Sequence, residues 1–558
     1  MSEPALPADD ARRAARRRRL EAALIAALAL TLNLAGNGRV SLFDRDEPRY
    51  AGCTREMRAR GDWLYPTFNG EPRFHKPILI YWLMRGGYAL GGDNPFGARL
   101  VSALAGTATS LLVLALGRRM FGPREGFLAA LMLTTSPIMV IESKLATTDA
   151  TLALWLVGAQ FCLWELSRRP SKRLAAAFWV LIGLATLTKG PVGPALVACA
   201  GVASWWCGGP TTAWGRLCWR RGVALFLLVT APWYVAVGVI SRGEFFRFAL
   251  GKQVAERVVS GVESHGAFPG YYVLASVLVF HPWAGLLPAA LRGAWVRRRS
   301  APEFGFLLGW VAGPLILLEC VRTKLIHYYL PAYPACALLT AWVAVAVSRD
   351  GVNLRRWPLG RLGLALLGGV GVGLTALLLA GAVVLPPGMG RASLAAALVL
   401  GAGTLWGLAS LYRAATTRAV AGLAATWAFT LLILWAWVLP AAEPYRLTRT
   451  VGERLARLSD ATGARPVLLS FQEPTVVYTM ARSAAMLRTW KQLYRELDRH
   501  GVVATALFDE KELAEFRGHR EIEIDIRGSV TGFNFSKGQT QTLHLALIRR
   551  KSLALRPR

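Results

Sequence analysis

A short polar stretch near the N-terminus holds the residues best suited to chemistry. It contains two adjacent carboxylates, Asp46 and Glu47, which Arg49 follows closely. A histidine and a lysine, His75 and Lys76, come later in the same stretch. Carboxylates can serve as general bases or metal ligands, and the cations can bind phosphate. A solvated loop with surface ion pairs has the same residue types, so composition alone leaves both interpretations open.

Long apolar runs flank this polar stretch and follow it. Of the 558 residues, 54% are hydrophobic and only 18% are charged. Runs long enough to cross about 30 Å of hydrocarbon recur from residue 20 to residue 440. We therefore predict a polytopic α-helical membrane protein with about thirteen transmembrane helices. The predicted spans are 20–37, 97–117, 124–141, 148–167, 173–188, 191–207, 220–240, 270–291, 303–320, 326–347, 360–385, 392–412 and 418–440.

The positive charge of the chain lies mainly between these runs. There are 65 Lys and Arg against 34 Asp and Glu, which gives a formal net charge of +31. On a soluble surface this balance would suggest nucleic-acid binding. Arginines in short loops between spans are instead the positive-inside signal, with some attraction to anionic membrane lipids. We expect membrane lipids as partners and no nucleic acid.

One apolar segment, residues 78–90, decides the predicted topology. If it does not cross the membrane, the basic N-terminus and the later short basic loops share one side, whereas crossing would separate them. Its shortness, Arg85 and the Gly86-Gly87 pair, which we expect to break a helix, also favour an interfacial or re-entrant segment. An odd number of spans follows, so the chain ends on the outer side.

The predicted organisation has three parts. Residues 1–19 form a basic cytoplasmic N-terminus, and residues 20–440 form the transmembrane domain with a first outer loop at 38–96. After residue 440 the composition turns polar, and strand-like runs such as 466–470 alternate with helical stretches. Residues 441–558 are therefore predicted to be an α/β domain on the outer side.

The polar stretch also carries an ordered set of motifs. Asp-Glu-x-Arg-Tyr begins at Asp46, Gly-Asp-Trp at Gly61 and Asn-Gly-x-x-x-Phe-x-Lys-Pro at Asn69, and Tyr81-Trp82 follows. This set resembles the bacterial aminoarabinose transferases and the related dolichyl-phosphate-mannose-type glycosyltransferases of the GT-C fold. The resemblance implies a GT-C transmembrane domain, a polyprenyl-phosphate-linked sugar as donor, and a lipid or glycan acceptor such as lipid A or core sugars. It also implies a multi-pass protein of the bacterial inner membrane that works on the periplasmic face.

The resemblance assigns roles to individual residues of the first loop and the next spans. Asp46 takes the place of the family's first-loop acid, and Glu47 beside it is a second candidate catalytic carboxylate. Arg49 and Lys76 take places near the donor phosphate. Asp149 looks like the family's second acid, although a helix N-cap explains an aspartate at this position equally well.

Three further residues resemble groups that approach the donor phosphate. Lys189 lies between two predicted spans and looks like a phosphate-binding lysine, with a snorkelling lysine at a helix end as the alternative. Lys324 and Tyr328 resemble the family's lysine and tyrosine near the phosphate. An anchor at the membrane interface is the alternative for this pair.

A metal site is a further implication of the resemblance. The residue before Lys76 is commonly glutamate in aminoarabinose transferases, where it can bind a metal, and here it is His75. His265 occupies the loop that supplies a metal-binding histidine in those enzymes. The two histidines would hold a divalent metal, zinc or magnesium, only if substrate or water completed the ligand set.

The sequence thus predicts a membrane glycosyltransferase in which Asp46 is a base or an orienting acid. A transporter or flippase of lipid-linked sugars is the alternative, and it would need charged residues near the bilayer midplane and inverted repeats. The sequence has neither feature. A third hypothesis is a catalytically silent envelope scaffold, in which Asp46 and Lys76 could be replaced without loss.

Overall fold

The computed structural model describes residues 8–551 except 45, 250, 252–266, 470, 509–512, 515–518, 520 and 535–537. The membrane portion consists of helices with one small two-stranded hairpin. Its elements are α1 Ala8–Leu34, α2 Glu47–Ala59, β1 Thr67–Phe68, β2 Glu71–Pro72, α3 Leu79–Gly91, α4 Pro95–Met120, α5 Pro123–Thr134, α6 Pro137–Ser143, α7 Asp149–Arg168, α8 Lys172–Lys189, α9 Val192–Trp206, α10 Thr212–Gly215, α11 Trp219–Ile240, α12 Glu244–Arg247, α13 Tyr271–Val279, α14 Leu287–Arg297, α15 Pro302–Glu319, α16 Tyr333–Arg349, α17 Pro358–Val384, α18 Pro387–Tyr412, α19 Thr416–Ile433 and α20 Leu439–Ala442.

Eight helices of the described chain are long and apolar enough to cross a membrane, or nine if α5 and α6 count as one span bent by 62°. The bend falls at Pro137, which cannot continue the backbone hydrogen-bond pattern of α5. The predicted number of about thirteen is not confirmed. Of the remaining predicted spans, α1 and α8 carry several charges, α9 is short, and 270–291 is broken into α13, a 3₁₀ turn and α14.

The basic ends of three helices meet at one end of the bundle. Arg118, in the last turn of α4, pairs with Glu21 of α1 at 2.6 Å. Arg119 pairs with Glu165, near the end of α7, also at 2.6 Å. The arginine-rich start of α1 therefore lies on the same side as the loops after α4 and α7, as the charge pattern predicts.

The segment predicted to be interfacial forms the short helix α3. Its 13 residues measure about 20 Å at 1.5 Å per residue, less than the hydrocarbon thickness. The expectation of a break at Gly86-Gly87 is wrong, since α3 continues to Gly91. Gly87 instead allows close packing against α4, because a Cβ there would lie 2.4 Å from the carbonyl oxygen of Gly97. Whether α3 lies in the membrane interface stays a prediction.

The chain after residue 446 forms an α/β domain around a five-stranded sheet in the order β4-β3-β5-β7-β6. Strand β3 runs parallel to both of its neighbours, β4 and β5, and β7 runs antiparallel to both β5 and β6. Helices cover both faces of the sheet, and neighbouring strand residues point to opposite sides: Ala504 packs with α21 and α22, and Val503 packs with α23. The elements are α21 Leu447–Thr462, β3 Arg465–Leu468, α22 Pro474–Met480, β4 Ala485–Met486, α23 Trp490–His500, β5 Val502–Phe508, β6 Ile522–Asn534 and β7 Gln539–Arg550.

Candidate active site

The first outer loop presents Asp46 at the start of α2. Pro48 occupies the second position of this helix, where its missing N–H costs nothing and its fixed backbone angle favours helix initiation. Asp46 is exposed, and its carboxylate makes no capping hydrogen bond to α2. Arg49 lies half-buried in the first turn of the same helix. The local fold therefore leaves the Asp46 carboxylate available to an acceptor.

Glu47 has a different environment from its neighbour. It is only 2% exposed, and its two carboxylate oxygens accept hydrogen bonds from Nε and Nη2 of Arg99 at 2.8 and 2.7 Å. The backbone N–H groups of Phe43 and Ala146 also donate to it, at 2.8 and 2.6 Å. All of its strong acceptor positions are occupied within the fold. The prediction of a catalytic Glu47 does not fit this placement, which gives the residue a structural role.

Replacing Glu47 with glutamine should therefore destabilise the fold. The change leaves the guanidinium of Arg99, which is 0% exposed, without its counter-charge, and breaking a buried pair costs about 3–5 kcal/mol. The measurement is the thermal unfolding midpoint of the purified protein in detergent. Glu453→Gln is the matched control, because Glu453 pairs with Arg449 on the surface and exposed pairs contribute under about 1 kcal/mol. Equal midpoints for the two variants would contradict the structural role.

A buried ion pair joins the ends of two neighbouring helices. Asp149 is the first residue of α7 and Lys189 is the last residue of α8. Their side chains are about nine-tenths buried, and Nζ of Lys189 lies 2.5 Å from Oδ1 of Asp149. The same Nζ lies 4.7 Å from the centroid of the Tyr328 ring. Helix packing therefore brings together three residues that the sequence proposes separately.

His327 connects this pair to the first loop. Its Nε2 lies 4.0 Å from Oδ2 of Asp149, and its Nδ1 lies 3.9 Å from Oε1 of Glu142. Electrostatic interactions link its imidazole to Asp149, Lys189, Asp46 and Lys76. Asp46, Lys76, Asp149, Lys189, Glu142, His327 and Tyr328 thus form one cluster, which we call the outer cluster.

Two members of the outer cluster were missed by sequence reasoning. His327 lies directly before Tyr328, and its signal was a histidine at the boundary of a span. Glu142 follows an apolar run and is the last acidic residue before Asp149. It is 3% exposed in the structure. Burying a carboxylate without a partner is costly, so a carboxylate at the end of an apolar run indicates a site with partners. This reasoning could have identified Glu142 from the sequence.

Lys324 does not contact the Asp149–Lys189 pair. It is buried, and its Nζ donates to a carboxylate oxygen of Glu319 and, at 3.1 Å, to the carbonyl oxygen of the same residue. The backbone N–H of Tyr272 donates to the other carboxylate oxygen at 3.2 Å. This arrangement fits a structural tie between the end of α15 and the next segment better than the predicted contact with donor phosphate.

Only one of the two histidines that the sequence predicts as metal ligands lies within the described residues. The ring of His75 is exposed and packs on Phe248 at a centroid distance of 4.8 Å. His265 lies outside the described residues, so the predicted pair of histidines stays a prediction. Within the described ranges there is no group of three or more His, Cys, Asp and Glu residues with a metal-binding arrangement.

A buried lysine supports the chain that leads into the first loop. Lys144 donates to the carbonyl oxygen of Ala35 at 2.5 Å and to Oδ1 of Asn37 at 3.0 Å. Burial, together with the nearby charge of Arg99, lowers the pKa of Lys144 to about 7. Arg99 donates to the carbonyl oxygens of Asn37 and Val40 at 2.9 and 2.7 Å. These two cations fix the backbone a few residues before Asp46.

The C-terminal domain contacts both flanks of Asp46. Asp44 accepts hydrogen bonds from the hydroxyl of Thr475 and, at 3.0 Å, from its backbone N–H. Asn69 exchanges two hydrogen bonds with the backbone of Ala484, at 2.7 and 2.8 Å. Arg55, in α2, donates to the carbonyl oxygen of Tyr478 at 2.7 Å. We call these contacts the loop clasp, and they place the domain on the same side of the helices as the outer cluster.

Comparison with known proteins points to one group of enzymes. Residues 75–235 match the family model described as dolichyl-phosphate-mannose-protein mannosyltransferase. An undecaprenyl phosphate-alpha-4-amino-4-deoxy-L-arabinose arabinosyl transferase of Pseudomonas aeruginosa is 34% identical over 339 residues, which are 58% of this chain and 59% of that protein. The corresponding protein of Edwardsiella ictaluri is 32% identical over 330 residues, covering 56% and 58%. The match thus spans somewhat under three fifths of the length of these relatives.

Solved structures extend the similarity beyond the matching sequence. The crystal structure of ArnT from Cupriavidus metallidurans bound to undecaprenyl phosphate has a TM-score of 0.74 and 22% identity, and it covers 94% of this chain and 97% of that chain. The apo structure of the same protein gives a TM-score of 0.76. At this identity the match establishes the fold. The resemblance carried by the first-loop motifs is confirmed: this chain is a multi-pass membrane protein related in sequence to the aminoarabinose transferases, with the GT-C fold over nearly its whole length.

Proposed function

We propose that the chain is a membrane glycosyltransferase that moves a sugar from a polyprenyl-monophosphate donor to a cell-envelope acceptor. The observation that carries this proposal is the outer cluster, in which an exposed carboxylate, Asp46, shares one site with the cations Lys76 and Lys189. Such a site can bind a phosphate and a nucleophile side by side. The similarity to arabinosyl transferases supports a polyprenyl-phosphate donor and a lipid A or other glycan acceptor.

The cations of the cluster suit the leaving group. In the transfer step, the bond between the anomeric carbon and the donor phosphate oxygen breaks, and the phosphate departs with the bonding electrons. Lys76 and Lys189, with Arg49 from α2, would neutralise the charge that develops on that oxygen. Lys189 ends α8, Arg49 lies in the first turn of α2, and Lys76 precedes α3. In the orientation inferred below, these positions suit a phosphate whose prenyl tail lies in the bilayer.

Asp46 would act on the acceptor. If the acceptor is a hydroxyl, its oxygen forms the new bond to the anomeric carbon and its proton passes to the Asp46 carboxylate. If the acceptor is a phosphate, its oxygen is already nucleophilic and Asp46 orients it. Asp149 has a separate role, because its ion pair holds the Nζ of Lys189 in place. Attack from the side opposite the leaving phosphate would invert the sugar carbon.

The direct test is release of polyprenyl phosphate from purified protein. The native protein is incubated with a panel of polyprenyl-phosphate sugars and with lipid A as acceptor. Transfer of labelled sugar and release of polyprenyl phosphate should occur together and depend on the acceptor. Movement of intact donor across the bilayer of a vesicle, without release of polyprenyl phosphate, would contradict the proposal and favour a flippase.

We infer the orientation from the charge pattern and the short α3. The outer cluster and the C-terminal domain would face the periplasm, with thirteen crossings of the bacterial inner membrane between the basic N-terminus and that domain. The mean hydropathy of α1 and α8 is low because of their terminal arginines and lysines. These side chains can reach the interface while the rest of the helix crosses the membrane.

Cysteine labelling tests this orientation. In a variant whose exposed Cys218 and Cys320 are replaced by serine, Leu90→Cys should react with a membrane-impermeant maleimide added to the periplasmic side of cells. Leu90 is 81% exposed and follows the apolar segment, so its side reports whether that segment crosses. Arg173→Cys, in the first turn of α8, is the control and should react only after lysis. The opposite pattern would mean that 78–90 crosses.

The loop clasp should control the rate without controlling donor binding. Thr475→Val removes the hydroxyl that donates to Asp44, two residues from Asp46, and should lower kcat about tenfold because small displacements of a positioned group are costly. The Kd for polyprenyl phosphate, measured by titration, should stay unchanged. Thr479→Val, on the same helix turn as the clasp, is the matched control. A change in Kd with an unchanged kcat would rule out this positioning role.

A further inference from the structure

An arginine-lined cavity lies at the end of the helix bundle opposite the outer cluster. Helix α16 follows the 3₁₀ segment Ile326–Ala332, which lies beside the outer cluster, and it ends at Arg349. The loop after α16 therefore lies at the opposite membrane face. There a cavity of about 770 Å³ opens between the start of α17 and the end of α18. Its lining comprises Asn353, Arg355, Arg356, Arg361, Leu364, Ala365, Leu408 and Tyr412. It shares no residue with the outer cluster.

The cavity has an excess of positive charge. It is lined by three arginines, and the only carboxylate between residues 349 and 361 is Asp350. The carboxylate of Asp350 pairs with Arg349 at 2.8 Å. Its negative charge therefore offsets an arginine outside the lining of the cavity. The backbone N–H of Arg355 donates to Asn353, and the guanidinium of Arg355 lies 4.6 Å from the centroid of the Tyr412 ring. Three guanidinium groups at one cavity favour a phosphate ligand.

The floor of the cavity is apolar. Leu364, Ala365 and Leu408 line it below the arginines. Exposed apolar residues continue along both helices towards the middle of the membrane, with Val372 58% and Leu405 64% exposed. Trp357, at the rim, is 43% exposed, and tryptophan at this level is typical of a membrane interface. We call this apolar strip along α17 and α18 the seam. A soluble phosphate would gain no binding energy from the seam, whereas acyl chains would cover it.

We propose that the cavity binds the headgroup of an anionic glycerophospholipid from the cytoplasmic leaflet. The phosphodiester would lie between Arg355, Arg356 and Arg361, and the acyl chains would extend along the seam between α17 and α18. A zwitterionic headgroup is a poorer ligand, because its ammonium would meet three guanidinium groups and no free carboxylate from this loop. The site would anchor the cytoplasmic end of the last spans to the lipid around them.

Native mass spectrometry of the delipidated full chain in detergent tests this proposal. Phosphatidylglycerol should bind with an affinity at least about tenfold above that of phosphatidylcholine, because both offer a phosphodiester but the ammonium of phosphatidylcholine would meet the three arginines. Glycerol phosphate, which carries the charge without the chains, should bind far more weakly. Equal affinity for the two lipids would overturn the proposal, and equal affinity for glycerol phosphate would show a site for soluble phosphate instead.

Two variants locate the site. Arg355→Gln with Arg361→Gln should lower the phosphatidylglycerol affinity about tenfold, and Ala365→Trp should lower it by filling the cavity while leaving the charge unchanged. The control is Arg168→Gln with Arg173→Gln, which removes two charges from the end of α7 and the start of α8, at the same end of the bundle. Its affinity should equal that of the native protein. Equal losses in the control would mean that diffuse surface charge, and not the cavity, attracts the lipid.

Discussion

Asp46→Asn is expected to lower kcat for sugar transfer to a hydroxyl acceptor by at least about 100-fold, because a positioned general base typically contributes 10²–10⁴ in rate. Asparagine has nearly the same shape as aspartate but cannot accept the acceptor's proton. Asp46 is exposed and its side chain does not cap α2, so the fold should tolerate the change. The Kd for polyprenyl phosphate should remain close to that of the native protein.

The measurement is initial rate of transfer at saturating donor, alongside donor Kd and the thermal unfolding midpoint. Glu71→Gln is the matched control, because Glu71 is an exposed carboxylate in the hairpin of the same loop. It loses the same charge at a position away from the start of α2. Full activity of Asp46→Asn would sink the proposed role and favour the silent scaffold, whereas equal losses in both variants would indicate a general effect of loop charge.

The different environments of Asp46 and Glu47 show where sequence reasoning reached its limit. Adjacent carboxylates look equivalent in a sequence, and both were predicted to be catalytic. Which of them is buried depends on Arg99, a residue of α4 that is 52 positions further along the chain. That contact is set by how α4 packs against the loop, and local sequence has no signal for it. The structure therefore separates an exposed carboxylate, Asp46, from a buried structural one, Glu47.

The elements themselves were more predictable than their contacts. Strand-like runs at 466–470 and 502–508 correspond to β3 and β5, because a short continuous apolar run is a local property of the sequence. The Asp149–Lys189 pair was less accessible to sequence, although each residue was proposed separately. Its ionic contact spans 40 positions and needs the end of α8 to lie against the start of α7. The number of spans stays a prediction, because charges at helix ends and a break near Pro282 interrupt the apolar stretches.

The C-terminal domain gained a role that its sequence did not suggest. Its polar composition predicted an α/β domain without a link to the chemistry. The structure joins it to the first loop through Thr475, Tyr478 and Ala484, on both sides of Asp46. Arg446, directly before the first helix of the domain, also donates to the carbonyl oxygens of Ser41 and Leu42 at 2.8 and 2.9 Å. The loop that carries Asp46 is thus held between the helices and the domain.

Lys189→Met is expected to have the second large effect, a loss of about 10²–10³ in kcat, because it removes a cation from the leaving phosphate. The single variant has a complication that follows from its burial. Asp149 would be left as a buried carboxylate without its lysine, and such an unpaired charge costs about 3–5 kcal/mol of stability. Low activity of this variant alone would therefore not separate chemistry from unfolding.

The double variant Asp149→Asn with Lys189→Met separates the two effects. It removes both charges, so most of the lost stability should return, since neutral partners of similar size can replace a buried ion pair with little cost. Activity should not return, because the donor phosphate still lacks its cation. The readouts are the thermal midpoint, donor Kd and kcat of all three variants, including Asp149→Asn. Recovery of activity together with stability would show that Lys189 only neutralises Asp149, and the phosphate would then depend on Lys76 and Arg49.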